Sequence, residues 1–374
     1  MMTTPTRRAA PQTAGPALNS ANRFAHIDAM RAVAVMLVVV MHAGIRVSPG
    51  DSGVTIFFTI SGFIITFLLI SERDRAGAFN VRRFYARRLW KIAPPFVLII
   101  AVPTLVYALF ATISWPAFLT QIFFSYNWAE IYLPGAFDGV LPGSTVVWSL
   151  AVEEQFYIVF ALLWIMLVRS RHWRIGLVSI ALVGVVGSLA ARVALSFDAD
   201  SLHAMRGTDA RLEAIAWGVL CAALLHRHGE HPSRALAWVG SAPALIIAAT
   251  LYGVSFAIPG GWAETAFRPT LWAIAAAIAV LWGMLPSDGR AKELMLRVAG
   301  WRVLQLIGLA SYSIYLAHDV IIHLVRALLP EVPGVAMLLG GLGGVAVGIA
   351  VYFAVERPVA RLSRRRHRVK ETQA

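Results

Sequence analysis

Two histidines, a pair of adjacent glutamates and a knot of basic residues are the groups in this sequence best able to do acid–base chemistry or to hold an anionic ligand. His42 follows Arg31 by eleven residues, and Asp28 precedes both. In a helix eleven steps of 100° close three turns with about 20° over, so Arg31 and His42 share one face, roughly 16 Å apart. A neutral imidazole can take a proton from a hydroxyl near neutral pH. Two readings of the pair stand: Arg31 snorkels while His42 ends a helix at the membrane interface, or their common face lines a functional cavity.

The run Trp148 to Tyr157 holds Glu153 and Glu154 at the opening of an apolar segment. Two carboxylates there are costly in a bilayer, although a helix N-terminus offsets part of the cost. Adjacent positions point about 100° apart, so at most one faces the same cavity as His42. A structural ion pair, for instance with Arg211, is the other reading. Further on, Tyr315, His318 and Asp319 fall at helical spacings that make one polar stripe, read either as part of a site or as glue between helices. Glu213 is placed at a similar depth. Arg82, Arg83, Arg87, Arg88 and Lys91 interleave with Phe84, Tyr85 and Trp90. Such a cluster suits the phosphates of a nucleotide-like ligand or the head groups of anionic lipids.

These groups are carried by a chain whose solvent is lipid. Of its 374 residues 58% are hydrophobic and only 14% charged, and mean hydropathy is +0.69. The fold class expected is all-α, a polytopic membrane bundle of about ten transmembrane helices. The apolar runs lie near 29–46, 53–71, 93–113, 147–168, 175–195, 211–227, 236–257, 267–285, 304–328 and 335–356. The loop 114–146 is rich in Trp and Tyr and is expected to hold a short interfacial helix around 118–127. With both termini placed in the cytoplasm, all but six of the 33 Lys and Arg fall on the inner side. The six are Arg46, Arg192, Arg206, Arg211, Arg268 and Arg326. That bias fixes the expected orientation and accounts for the net charge of +13 without a nucleic-acid partner. Residues 1–22 read as a disordered tail, 23–361 as one transmembrane domain and 362–374 as a basic cytoplasmic tail. The single cysteine, Cys221, lies in a predicted helix, so no intrachain disulfide is possible.

At these residues the chain resembles the acyltransferase type 3 family of membrane O-acyltransferases. The resemblance runs from about Arg23 to Arg361. It rests on His26 to Arg31 leading to His42, on Gly53 to Phe63, on Phe84 to Arg88 with Lys91, on Trp148 to Tyr157, on Ser311 to His318, and on Val355 to Pro358. It implies transfer of an acyl group, usually acetyl, from cytoplasmic acyl-CoA to a hydroxyl of an extracytoplasmic or lipid-linked carbohydrate or similar metabolite. The enzyme would sit in the cell inner membrane, with acyl-CoA as donor substrate and no bound cofactor. Carried over, His42 is the essential histidine, Arg31 its motif partner, and Arg87, Arg88 and Lys91 the basic motif for the CoA end. Lys91 stands where the family usually has Arg, keeping the charge without the bidentate fork, and Thr55 stands where Asp is frequent. No fused extracytoplasmic domain is expected, which leaves acceptor specificity to the bundle and its outer loops.

The expected mechanism has the pantetheine arm threading the bundle towards His42, which deprotonates the acceptor hydroxyl while Glu153 or Glu154 orients the imidazole. Tyr315 or Ser61 is the expected donor to the oxyanion, and Trp148, Tyr157, Arg211 and His318 complete the expected substrate-binding set. An acyl-His42 intermediate is a variant of this scheme. The rival class is a transporter or flippase of a lipid-linked sugar, which also needs a polar cavity among helices.

Overall fold

The computed structural model describes residues 24–45, 49–77, 79–133, 135–136, 138–198, 201–228, 232–286 and 289–362. Arg7, Arg8, Arg23, Arg46, the expected N-terminal tail and the basic residues after Leu362 lie outside the described residues.

Every regular element among the described residues is helical. In chain order they are α1 (Ala25–His42), α2 (Gly50–Ala76), α3 (Val81–Tyr107), α4 (Trp115–Ile122), α5 (Tyr126–Tyr132), α6 (Val147–Leu167), α7 (Trp173–Ser196) and α8 (Leu202–Arg206). Then follow α9 (Thr208–His228), α10 (Arg234–Val239), α11 (Ala242–Val254), α12 (Trp262–Met284), α13 (Arg290–Ala299), α14 (Arg302–Leu328) and α15 (Pro333–Val351). Eight of these, α1, α2, α3, α6, α7, α12, α14 and α15, are long and apolar enough to cross a membrane. The other two expected spans are helical but fall short by that measure. α9 has 21 residues yet opens on Asp209, Arg211 and Glu213, whereas α11, extended by a 3-10 turn to Ala257, is apolar but short.

Close backbone approach organises the centre. α9 packs against α2, α7 and α12. A Cβ at Gly62 of α2 would fall 2.0 Å from the Ile215 carbonyl oxygen, and one at Gly218 of α9 would fall 2.1 Å from that of Thr59. Only glycine lets these two helices touch backbone to backbone. The same device joins α14 to α15, where Gly340, Gly344 and Gly348, one helical turn apart, face Ile322, His318 and Ile314. α3 contains Pro94 and Pro95 and continues through a π-turn at Val97–Ala101. Prolines remove helix donors and loosen the ladder at that level. Beside them the Tyr312 hydroxyl of α14 donates to the Ile92 carbonyl at 3.1 Å.

The expected interfacial helix near 118–127 is two short helices, α4 and α5. Phe124 between them takes a positive φ of 53°, a left-handed conformation that cannot continue a right-handed helix. α4 starts at Ser114, whose side chain accepts from the Ala117 N–H at 3.3 Å in the usual capping geometry.

Candidate active site

Seven residues separate Ser311 from His318 on α14, two helical turns, so both look the same way across α1. Arg31 donates through Nε to Ser311 Oγ at 3.1 Å, and His42 Nδ1 lies 3.1 Å from His318 Nε2. The shared face of Arg31 and His42 is thus the face that packs on α14. Each of the two residues opens on a different cavity.

The first cavity, about 150 Å³, is walled by Arg31, Ser61, Arg88, Lys91, Glu153 and Tyr157 among others. Ser61 donates to Glu153 at 2.9 Å, and the Tyr157 hydroxyl reaches the other oxygen of that carboxylate at 3.5 Å. Arg88 pairs with Glu154 at 2.5 Å and lays its guanidinium 3.3 Å from the Tyr157 ring centre. Glu356, delivered by a π-turn after α15, accepts from Ser313 close by. Arg87 stands apart, exposed and paired with Glu72 at 2.9 Å.

The second cavity, about 220 Å³, is walled by His42, Asp51, Trp148, Arg206, Arg211 and Arg268 among others. Val54 and Tyr315 line both cavities, so the two abut at that pair. The Tyr315 hydroxyl donates to the Val146 carbonyl at 3.2 Å and shares a 2.6 Å hydrogen bond with Ser149.

The bonding around His42 determines which nitrogen is free. A carbonyl oxygen can only accept. His318 Nδ1 is 2.7 Å from the Tyr315 carbonyl, so in the neutral ring it carries the proton and Nε2 accepts. His42 Nδ1 is 3.1 Å from the Val38 carbonyl and also faces His318 Nε2, so it too carries a proton. Two independent acceptors therefore assign the same tautomer to His42. Its Nε2 keeps the lone pair, the state a general base needs. His318 itself is fully buried, and Gly344 supports it from behind, since a Cβ there would fall 2.5 Å from the His318 Cα.

Two expectations are corrected. Neither Glu153 nor Glu154 orients His42; Glu153 lines the first cavity, Glu154 pairs with Arg88 on its wall, and the group that holds the imidazole is His318. Trp148 does face the second cavity, but Glu153, five residues or about 7.5 Å further along α6, lines the first. The expected oxyanion donors are also committed elsewhere, Ser61 to Glu153 and Tyr315 to Val146. Arg211 bonds Thr55 at 3.3 Å rather than either glutamate, and Glu213 pairs with the buried Arg192. Asp51, Arg206, Glu264 and Arg268 were given no role by the sequence, although all four line the histidine cavity. The signal available for Arg206 and Arg268 was their position among the six cations outside the inner-side cluster.

The model of the acyltransferase family 3 domain, described as an acyltransferase domain, matches residues 24–355. The chain belongs to the acyltransferase type 3 family. Among curated relatives, the O-acetyltransferases OatA of Staphylococcus aureus strains NCTC 8325 and COL are each 29% identical over 323 residues. The match covers 80% of this chain and 51% of the relative. A further protein of the same species, from strain MW2, is 26% identical over 327 residues with the same coverage. The chain thus spans about half the length of the curated relatives it matches. No solved structure matches it. The helical fold with its apolar spans and the family together describe a multi-pass membrane protein of an acyltransferase family.

Proposed function

We propose that this chain transfers an acetyl group from cytoplasmic acyl-CoA to a hydroxyl of an extracytoplasmic or lipid-linked carbohydrate or similar metabolite. The observation that carries the reading is the pair of abutting cavities, one with Arg88 and Lys91 on its wall, the other with the free Nε2 of His42. On this reading the phosphates of CoA meet Arg88 and Lys91, with the exposed Arg87 at the entrance. The thioester reaches past Tyr315 and Val54 to His42.

In the chemical step His42 Nε2 takes the proton of the acceptor hydroxyl. The oxygen forms its bond to the thioester carbonyl carbon, the carbon–sulfur bond breaks, and the departing CoA thiolate recovers the proton from the imidazolium. While charged, His42 is held by the Val38 carbonyl and by His318 Nε2, both of which accept from Nδ1. Trp148 and Arg211 belong to the acceptor side, and Tyr157 shapes the donor side against Arg88.

The same reading takes α9 and α11 as the ninth and tenth crossings, with both termini cytoplasmic and the protein in the inner membrane. The enclosure of α9 by α2, α7 and α12 supports this, because its polar residues then meet protein rather than lipid. So does the distribution of basic residues.

The test is acetyl transfer by the purified full chain in lipid nanodiscs, supplied with radiolabelled acetyl-CoA and a cell-envelope extract. His42→Ala is expected to insert normally and to lose transfer by about 10²–10⁴-fold. Wild-type product from His42→Ala overturns the assignment, and so does movement of an envelope sugar without acylation.

A further inference from the structure

Three guanidiniums face the His42 cavity, and two of them have a carboxyl partner in the protein. Arg206 is ion-paired with Glu130, and Arg268 with Glu264. Arg211 is different. It is 7% exposed, and its hydrogen bond is to the neutral Thr55 hydroxyl at 3.3 Å. Among the described residues no carboxylate lies within ion-pairing distance of it; Asp51, on the same cavity wall, is exposed to solvent.

Two costs fall on Arg211 together. A buried cation that no carboxylate pairs recovers only part of its lost hydration from the Thr55 hydroxyl and the faces of Trp148 and Phe58. It also sits in the first turn of α9, where the helix dipole presents positive charge and disfavours a cation. The same two features favour an anion, because a guanidinium and the positive end of a helix each attract negative charge. Around it the guanidinium carbon stands 5.7 Å from the Trp148 ring centre and 5.8 Å from that of Phe58. Both rings are largely buried and keep water from screening the charge.

We propose that Arg211 binds an anionic group, a carboxylate or a phosphate, carried by the acceptor, so that the acceptor is an acidic hydroxyl compound. The inference rests on the acyl-transfer reading for the word acceptor, but the anion site can be tested without it. Arg211 would hold the acid group at one end of the cavity and so present a hydroxyl of the same molecule to His42 Nε2.

The test compares glucose, glucuronate and glucose 6-phosphate, which share a sugar frame and differ in charge, as stabilisers of the full chain against thermal unfolding in nanodiscs. CoA is a fourth arm. One or both acidic sugars are expected to raise the unfolding midpoint of the wild type and of His42→Ala alike, with glucose inactive. Arg211→Gln is expected to raise the half-saturating concentration by about tenfold or more, and Arg211→Lys by less. Without ligand, Arg211→Gln should unfold little or no earlier than the wild type, because it removes a buried charge that no carboxylate pairs and keeps a donor for Thr55.

Equal stabilisation by glucose, no stabilisation by either acid, or stabilisation unchanged in Arg211→Gln each overturns the proposal. A large loss of stability in ligand-free Arg211→Gln also overturns it, since that would reveal a structural partner. Arg211-dependent stabilisation by CoA alone would assign the site to the donor and overturn it likewise. Loss of the transfer reading would instead appear as no acetylated product from wild type in the radiolabel assay, with these binding results intact.

Discussion

Removing His318 separates a positioning role from a chemical one. The side chain is fully buried, and its Nε2 accepts from the Nδ1 of His42 at 3.1 Å. In His318→Ala that acceptor is lost, yet the Val38 carbonyl, also 3.1 Å from His42 Nδ1, remains. The tautomer therefore survives, and what is lost is one acceptor for the imidazolium that forms as the hydroxyl is deprotonated. A hydrogen bond to a charged group contributes about 1.5–3 kcal/mol, which is roughly a 10- to 150-fold fall in kcat. KM for acetyl-CoA should not move, because its wall of Arg88 and Lys91 lies in the other cavity. His318→Gln, whose amide oxygen can accept, should recover part of the loss. In His42→Ala the further removal of His318 should cost little, since the two act as a unit. The measurement is steady-state acetyl transfer in nanodiscs, with protein yield and unfolding midpoint as controls. Unchanged kcat in His318→Ala, an effect confined to KM, or a loss as deep as that of His42→Ala would each refute this account.

Other consequences are open to direct measurement. Gly344→Ala should lower kcat by displacing the His318 backbone, 2.5 Å from the new methyl, while Gly334→Ala on the same helix meets nothing within 4 Å and should leave activity intact. Glu213→Ala should destabilise the fold by about 3–5 kcal/mol, because it strands Arg192, whose side chain is 2% exposed. Arg192→Met combined with Glu213→Leu should recover much of that in a thermal melt. Burial pushes the Glu130 carboxyl up to about 7, against the opposing charge of Arg206. A carboxyl raised above its unfolded value contributes most stability below that unfolded value and loses it as pH rises through the folded one. The wild-type unfolding midpoint should therefore fall as pH rises from about 4.5 towards 7, and Glu130→Gln should flatten that dependence; an unchanged slope counts against it.

Much of the architecture follows from local pattern, and the failures have physical causes. Hydropathy marks a span where lipid faces most of a helix. It finds α15, whose apolar surface is largely exposed, and it also marks 211–227, the stretch that forms α9. The polar first turn of α9 on Asp209, Arg211 and Glu213 keeps it out of the eight apolar spans, and it packs against α2, α7 and α12. Helical spacing put Arg31 and His42 on one face, because that depends on a single helix. The depth of Glu153 relative to His42 depends on how α1 and α6 are offset along their axes, which no periodicity within either helix reports. The partnership of His42 with His318 is a contact across 276 positions, set by the glycine seam that seats α14 against α15. Both histidines were legible as candidates; which of the polar groups touches which was not.

The division of charge between the two cavities has a consequence for catalysis. In the first, Arg88 is answered by Glu154, and Glu153 is held by the hydroxyls of Ser61 and Tyr157, so both carboxylates there already have partners. A general base must instead keep a lone pair unspent. His42 meets that condition because both groups bonded to its Nδ1, the Val38 carbonyl and His318 Nε2, are acceptors that leave Nε2 free. A carboxylate at Nδ1 would hold the proton more strongly and raise the basicity of the ring, favouring the imidazolium before substrate arrives. His318, neutral and itself tied to a carbonyl, fixes the ring's orientation without adding charge. The abutting cavities thus keep the ion pairs of the Arg88 side away from the one nitrogen that must stay unprotonated, and Tyr315 marks the boundary between them.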